Sequence, residues 1–377
     1  MTKRFRRTLD PLGLSLLLLA APLSGADDAL SVLDANRDGV VDPFEVLDGL
    51  LVLEDDLGRP PTFEEIEDFA AEQKSELNAE MTKLLAEFDA NGDGVVKTTE
   101  AEDDERDVLE AMDANDDGTV ELAEAVAFDF AATELASEAE IEERIEEAFR
   151  AKDVNRNGVI DLPSEVAEQE LGRYTELDLD RDGRVEKREA KIFWLADNTP
   201  VRFEVEGRTA RMTGVITAAL PATVLRLLHE HPAVDTIEMQ IVPGSIDDHA
   251  NLRAALYVFE RGLTTRLTAT STIASGGTDF FLGGATRIVE PGAILGVHSW
   301  GGGPVPATEV PRDDPQHRIY LEFYEAVDVP MDFYWYTLES APAAGMHIMT
   351  EDELARYRVR RGEPPSSQPS RPSGNVE

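Results

Sequence analysis

The chain has 377 residues, which is enough for two or more domains. Its formal net charge is −41, and such a strongly negative field disfavours nucleic acids and anionic membranes as partners. The chain contains no cysteine, so disulfides, thiol nucleophiles, zinc–thiolate sites and a lipoprotein anchor cysteine are excluded.

The first 26 residues have the organisation of a secretory signal. Basic residues between Lys3 and Arg7 precede an apolar run from Leu12 to Leu23, which ends in small residues before an acidic stretch. The run is too short to span a bilayer comfortably. We expect cleavage after Ala26 and export to the periplasm or the extracellular space. An uncleaved signal anchor is the alternative, and in both cases the folded part lies outside the cytoplasm.

Residues 27–198 carry most of the negative charge and form the predicted calcium-binding domain. From Asp27 to Pro200 there are 16 basic and 52 acidic residues. One spacing of oxygen-bearing side chains recurs here around a glycine. The periodicity disfavours the alternative of a disordered acidic segment. We name each loop by its first residue, and the loops begin at Asp34, Asp89, Asp113, Asp153 and Asp178.

This spacing is the one that a calcium ion requires. A twelve-residue loop offers the ion roughly six to eight oxygens from alternate positions, the glycine at position six permits a sharp turn, and a glutamate at position twelve gives two oxygens. The loops resemble those of EF-hand proteins, and we expect about four to five Ca²⁺ ions. The expected side-chain ligands are Asp34, Asn36, Asp38, Asp42, Glu45, Asp89, Asn91, Asp93, Glu100, Asp113, Asn115, Asp117, Glu124, Asp153, Asn155, Asn157, Asp178, Asp180, Asp182 and Glu189. The expected backbone ligands at position seven are Val40, Val95, Thr119, Val159 and Arg184.

Two loops depart from the pattern. Loop 153 has Ser164 at position twelve and Glu165 one place later. It either binds calcium weakly through Glu165 or is structural only. Loop 89 carries Lys97 at position nine, where a water often bridges to the ion, and this lysine should lower the affinity without removing the site.

The loops are expected to form three pairs. The starts of loops 89 and 113 are 24 residues apart and those of loops 153 and 178 are 25 apart, so one helix serves both loops of each pair. For loop 34 we propose a degenerate, metal-free partner over Asp56–Glu67. Phe63 there occupies position eight, which forms the small β-bridge between paired loops.

Residues 199–362 alternate between strand and helix patterns, which predicts an α/β domain. The expected strands lie near 208–216, 236–242, 265–270 and 293–298, and the expected helices near 222–231 and 249–261. Residues 363–377 are rich in proline and serine and are predicted to be disordered. The fold class is therefore multidomain, with all-α EF-hand pairs followed by an α/β domain.

Three segments of the α/β domain contain candidate catalytic groups. They are Val242–Ser245 after a strand, Ile273–Thr278 at the start of a helix, and Leu295–Trp300 at the end of a later strand. Together they resemble the superfamily of the Clp protease proteolytic subunit and crotonase, particularly its secreted ClpP-like bacterial branch. The resemblance extends over about 150 residues, from Val205 to Tyr357.

The resemblance implies a role for each matching residue. Ser275 becomes the nucleophile, His298 its general base, and Gly244 or Ser245 together with Gly276 the oxyanion hole. A serine hydroxyl does need a neighbouring imidazole to take its proton, and preplaced amides stabilise the resulting oxyanion. Considered singly, Ser275 could cap a helix and His298 could be a strand-end core residue. Assembly of ClpP-like domains into rings or trimers implies a homo-oligomer.

The chain departs from the family at two points. Ser245 replaces the second glycine of a Pro-Gly-Gly turn, and no clear third catalytic acid follows. The expected region offers Glu339, with Asp332 further away, so that a dyad and a triad both remain open.

The sequence thus predicts an exported calcium-binding protein with a serine hydrolase or peptidase domain that acts on peptide or protein. The alternative is a non-catalytic, calcium-dependent binding module with a pseudo-hydrolase domain. A crotonase-type acyl-CoA enzyme is disfavoured because that cofactor is cytosolic.

Calcium should be required for the fold of residues 27–198. Each empty loop gathers several carboxylates, so we expect the helix content to fall in excess chelator and to recover in millimolar calcium. Circular dichroism measures this change. Identical spectra in the two conditions would count against the prediction.

Overall fold

The computed structural model describes residues 33–36, 41–57, 63–100, 103–115, 117–128, 136–301 and 306–362. The predicted signal peptide, the predicted disordered tail and residues 37–40 of loop 34, with the expected ligands Asp38 and Val40, lie outside this part. The chain forms two compact units, which divide between residues 134 and 135. Within the described residues, no helix has the length and apolar character needed to cross a membrane.

The first unit holds loops 34, 89 and 113. Its described elements are α1 (Pro43–Leu57), α2 (Phe63–Phe88), β1 (Val96–Lys97), α3 (Asp103–Met112), β2 (Thr119–Val120) and α4 (Leu122–Ala127). β1 and β2 pair antiparallel, with Val96 opposite Val120. These two valines pack with Leu85, Leu109 and Met112 in one buried cluster, which holds loops 89 and 113 together.

The segment 56–67 differs from the prediction of a degenerate loop. α1 continues to Leu57 and α2 begins at Phe63, so Asp56 and Phe63 both belong to helices, and residues 58–62 lie outside the described part. Leucine-rich sequence precedes this segment, and glutamate and alanine follow it. These residues favour helix, and the segment lacks the glycine that would turn the chain at position six.

The second unit begins with loops 153 and 178. Its first elements are α5 (Glu138–Lys152), β3 (Val159–Asp161), α6 (Leu171–Leu177), β4 (Arg184–Glu186) and α7 (Lys187–Asp197). β3 and β4 pair antiparallel, with Ile160 opposite Val185. Both residues are fully buried and pack with Ile145, Phe149 and Phe193.

One seven-stranded mixed sheet follows. Its strands are β5 (Arg202–Glu206), β6 (Thr209–Thr213), β7 (Thr236–Val242), β8 (Thr264–Ala274), β9 (Thr286–Val289), β10 (Ile294–Val297) and β11 (His347–Ile348). The order is β5-β6-β7-β8-β10-β11, and β9 pairs with the first half of β8. The central pairs are parallel and the two edge strands are antiparallel. The coarse prediction of mixed α/β structure is confirmed.

The helices of this unit cover the sheet and complete its core. They are α8 (Leu220–Glu230), α9 (Asp248–Arg261), α10 (Gly276–Leu282), α11 (Arg318–Ala326), α12 (Asp332–Ser340) and α13 (Glu351–Arg356). Asp247 caps α9 by accepting a hydrogen bond from the Ala250 amide at 2.8 Å. β10 is buried along its whole length, as expected for a central parallel strand covered on both faces.

The boundary between the units differs from the one predicted at residue 198. The α/β sheet and the loop pair 153/178 belong to the same compact unit, because the pair packs directly on the sheet. Ile241 of β7 contacts the apolar core of this pair, and Arg181 of loop 178 donates hydrogen bonds to β8. Neither contact can be predicted from the spacing of the loops or from the pattern of strands and helices in the sequence.

Candidate functional site

In four of the predicted calcium loops, the first aspartate stabilises the turn by accepting hydrogen bonds from backbone amides. In loop 113, Asp113 accepts hydrogen bonds from the amides of Asp117 at 3.1 Å and Gly118 at 2.7 Å. Asp89, Asp153 and Asp178 accept the corresponding amide hydrogen bonds in their own loops. Four residues at position seven lie at the entrance to the short strands, Val95 before β1 and Thr119, Val159 and Arg184 in β2, β3 and β4.

Two of the position-twelve glutamates have a carboxylate oxygen that calcium would satisfy. Glu100 Oε2 and Glu124 Oε1 are buried and have no hydrogen-bond partner within the described residues. A buried, unpaired carboxylate oxygen is costly. The other expected ligand atoms in loops 89 and 113 are carboxylate and amide oxygens, which calcium prefers. The residues therefore fit a bound calcium ion.

Lys97 lies inside the electrostatic field of loop 89. Its Nζ is 3.7 Å from Asp93 Oδ2 and 3.8 Å from Glu100 Oε1. Since both carboxylates are expected ligands, the ammonium group competes with the cation for them.

Glu165 takes the position-twelve role in loop 153, although it is the thirteenth residue. Its Oε1 accepts from the Asn155 amide at 2.9 Å, and its Oε2 accepts from the Asp161 amide at 2.9 Å. Glu45 makes the same pair of links in loop 34, to the amides of Asn36 and Asp42. Ser164 instead donates to the Asp161 carbonyl at 3.3 Å.

Loop 178 brings three carboxylates together. Oxygens of Asp178, Asp180 and Asp182 all lie within 4.8 Å of one another. Glu189 closes the loop by accepting from the amides of Leu179 at 2.9 Å and Glu186 at 2.8 Å. Burial raises the pKa of both Asp178 and Glu189, which means that their negative charge is poorly solvated. This donor set also fits a bound dication.

Ser275 stands at the junction of β8 and α10 in a strained backbone conformation. Its φ is 52° and its ψ is −129°, which a residue with a Cβ rarely adopts. Its side chain makes no capping hydrogen bond, so helix capping does not explain this serine. A sharp strand-to-helix turn of this kind presents a hydroxyl to the outside of a sheet edge.

His298 follows the last residue of β10, beside the end of β8. The amide of Ser275 donates to the carbonyl of Gly296 at 3.0 Å, which ties the serine to the strand that leads to His298. Both side chains line one cleft at the carboxyl ends of these parallel strands, the edge where α/β sheets commonly bind ligands. We call it the serine cleft, and it is lined by Asp248, Ser275, Gly276, Thr278, Asp279, Val297, His298, Trp300, Tyr320, Tyr324, Tyr334, Thr337 and Leu338.

The His298 imidazole is neutral at physiological pH. Burial lowers its pKa from 6.5 to about 4, and the positive charge of Arg173 acts in the same direction, whereas Asp248 opposes it. His298 Nδ1 is buried and has no hydrogen-bond partner within the described residues. No carboxylate described here orients the ring through that nitrogen.

The candidate oxyanion residues surround Ser275. Gly244 lies after β7, and a Cβ placed on it would be 3.8 Å from Ser275 Oγ. Gly276 is packed so closely that an added Cβ would lie 2.0 Å from Ser245 Oγ. The amide of Gly276 begins α10 and has no acceptor within that helix. The structure thus gathers Gly244, Ser245 and Gly276 around the serine.

Glu339 does not line the serine cleft. Its carboxylate accepts from Arg312 at 2.9 Å, and its side chain is 65% exposed. The acids in the cleft are Asp248 and Asp279 instead. Asp248 accepts from the hydroxyls of Ser245 and Tyr320.

Asp279 is the second acid of the cleft. It accepts from the Tyr324 hydroxyl, and burial raises its pKa to about 7. The sequence motifs mark neither Asp248 nor Asp279 as a site residue. Both acids lie in the first turn of a helix, where acidic residues are common because they interact favourably with the helix dipole. Their residue type and position therefore do not indicate a functional role.

Comparison with known proteins supports the first loop directly. The family model described as EF hand matches residues 26–49, which include loop 34. The match indicates a calcium-binding EF-hand near the N terminus. No curated protein matches the chain.

Glu165 should be required for calcium uptake by loop 153. We expect Glu165→Gln to weaken or remove one binding event in isothermal titration calorimetry, because it removes a charged bidentate ligand. The matched change Ser164→Ala, at the formal position twelve, should leave the isotherm unchanged. A larger effect from Ser164→Ala would contradict this assignment.

Proposed function

We propose that this protein is an exported calcium-binding serine hydrolase, with a ClpP-like domain that cleaves peptide or protein substrates. The observation that carries the proposal is the strained backbone of Ser275, which leaves the hydroxyl free of a capping role and beside His298 in one cleft. Maintaining an unfavourable φ costs roughly 1–3 kcal/mol, and such outliers cluster at active sites.

The proposed reaction is acyl transfer to Ser275. The neutral His298 takes the proton of the Ser275 hydroxyl as its Oγ forms a bond to the substrate carbonyl carbon. The carbonyl oxygen becomes an oxyanion, which the amides of Gly276 and of Gly244 or Ser245 stabilise. Protonated His298 then gives its proton to the departing amine, and the acyl group stays on Ser275.

Water completes the cycle. His298 takes a proton from a water molecule, whose oxygen attacks the acyl carbon and forms a second oxyanion. The bond between that carbon and Ser275 Oγ breaks, the proton returns to Oγ, and a carboxylic acid is released. A Ser275–His298 dyad suffices for these steps, and Asp248 contributes a negative charge that favours the protonated imidazole.

Calcium binding at several EF-hand loops is the second part of the proposal. The family match supports loop 34, and the unpaired carboxylate oxygens of Glu100 and Glu124 support loops 89 and 113. The carboxylate cluster of loop 178 and the reach of Glu165 support the other two. We further propose export through the N-terminal signal and assembly into a homo-oligomer, both on the grounds given with the sequence.

A pseudo-hydrolase that binds without cleaving is the second candidate. The specific observation in its favour is that His298 Nδ1 has no acceptor among the described residues, so no carboxylate there holds the imidazole through that nitrogen.

Labelling with a fluorophosphonate probe separates the two candidates. We expect the full chain to be labelled in calcium, and Ser275→Ala and His298→Ala each to abolish or nearly abolish labelling. Ser340→Ala is the control, because the Ser340 hydroxyl donates to the Tyr336 carbonyl within α12 at 2.6 Å and Ser340 does not line the serine cleft, so the signal should not change. A folded protein that is never labelled would favour the binding module.

The pH dependence of labelling should follow His298. The imidazole is the base in its neutral form, which dominates above its pKa of about 4. The labelling rate should therefore be nearly constant from about pH 5.5 to 8 and fall as the pH drops through about 4. A rate that halves near 6.5 would indicate an ordinary, solvent-exposed histidine.

A further inference from the structure

Arg181 joins the last calcium loop to the strand that carries Ser275. It is the fourth residue of loop 178 and lies between two expected calcium ligands, Asp180 and Asp182. Its φ of 65° places its backbone in the left-handed region. Because both neighbours are expected ligands, an ion in loop 178 would fix the position of the Arg181 backbone.

The guanidinium group of Arg181 binds the sheet at two places. Nη2 donates to the Ser271 carbonyl at 2.9 Å and to Thr272 Oγ1 at 2.8 Å, and both residues belong to β8. Nε donates to the carbonyl of Gly292 at 3.2 Å, just before β10 begins. One side chain therefore contacts β8 and the turn that leads into β10, the two strands whose carboxyl ends form the serine cleft. Its half-buried position lowers the Arg181 pKa through desolvation, but the group stays charged.

The contacted part of β8 is an irregular one. The register between β7 and β8 shifts after Met239, so that Ile241 pairs with Thr272. Ser271 stabilises this irregularity by donating to the Met239 carbonyl at 2.6 Å and accepting from the Thr268 amide at 2.8 Å. From Thr272 to Ala274, directly before Ser275, β8 pairs regularly with β10. Arg181 thus holds the start of the three-residue stretch that positions the serine.

The helix that leads into loop 178 touches the histidine side of the cleft. Gly172 of α6 lies so close to the chain that an added Cβ would be 1.9 Å from the Met346 carbonyl oxygen. Met346 in turn packs on Gly296 of β10, two residues before His298. Arg173 donates to the Ala343 carbonyl at 3.1 Å, and its charge acts on His298.

We propose that calcium in loop 178 positions Ser275 and His298 through Arg181 and α6, so that calcium binding and serine reactivity are energetically coupled. Arg181 is a positioning residue in this proposal, since it acts through β8 and does not contact substrate. The coupling rests on the proposed function of Ser275. It predicts reciprocity, because a ligand that is bound more tightly by the ordered cleft must tighten calcium binding by the same factor.

The chain provides a matched control for Arg181. Arg156 is the fourth residue of loop 153 and also has a positive φ, of 58°, but its side chain is exposed. Arg156→Ala and Arg181→Ala therefore make the same chemical change at equivalent loop positions. Only the second change removes contacts with the sheet.

The test measures two responses of the full chain to calcium. One is the rate of fluorophosphonate labelling at Ser275, and the other is deuterium exchange in the peptide that covers residues 268–275. We expect calcium to accelerate labelling about fivefold or more and to slow exchange in the wild type and in Arg156→Ala. In Arg181→Ala, calcium should still bind by calorimetry, but both responses should be lost. Equal responses in the two variants would overturn the proposal.

Three further variants test the coupling independently of Arg181→Ala. If Arg181→Ala does not fold, Thr272→Val removes one acceptor from the sheet side and should reduce both responses. Glu189→Gln in loop 178 should abolish them, whereas Glu124→Gln in loop 113 of the first unit should preserve them. Full responses in Thr272→Val and Glu189→Gln would contradict the proposal.

Failure of the proposed function gives a different result. A protein that is never labelled rules out the hydrolase, but calcium-dependent exchange in residues 268–275 would still support the coupling. A wild type that binds calcium without any change in that exchange overturns the coupling alone.

Discussion

The repulsion between carboxylates in the calcium loops is the constraint on which the structure depends. In loop 178, oxygens of three aspartates lie within 4.8 Å of one another, and burial already disfavours the charge on Asp178 and Glu189. Two like charges about 4 Å apart repel by about 4 kcal/mol at an effective dielectric constant near 20. A dication offsets this repulsion at the point where it is strongest. We propose that an ion bound in loop 178 would relieve this repulsion and thereby stabilise the positions of α6 and β4.

This constraint extends into the α/β domain because the last pair of loops packs on the sheet. Arg181 hydrogen-bonds to β8 and to the turn before β10, while Gly172 of α6 lies against the segment that packs on β10. Ser275 and His298 follow directly after these two strands. The same contacts of Arg181 and α6 with the sheet therefore connect loop 178 to the serine cleft. This connection gives a physical reason for the two kinds of candidate site to occur in one chain. Under the proposed coupling, calcium would increase the reactivity of Ser275 and its removal would decrease that reactivity.

The periodic parts of the chain could be predicted and the contacts between them could not. The strand expected at 236–242 coincides with β7. Position eight, which is expected to form a β-bridge between paired loops, is Val96 in loop 89 and Val120 in loop 113, and these two residues lie opposite each other in β1 and β2. These features depend on local spacing, which the sequence displays. Glu165 reaches the amides of Asn155 and Asp161, and Asp248 lies in the serine cleft, only through the three-dimensional path of the chain. The grouping of loops 153 and 178 with the sheet likewise depends on a glycine and an arginine that no motif marks.

Equilibrium dialysis of the full chain against radioactive calcium tests most directly whether these loops bind calcium. We predict saturable uptake of more than one ion per chain at physiological salt, in the micromolar to millimolar range found for EF-hand sensors and extracellular modules. Uptake no greater than that of an acidic protein without such loops would contradict it.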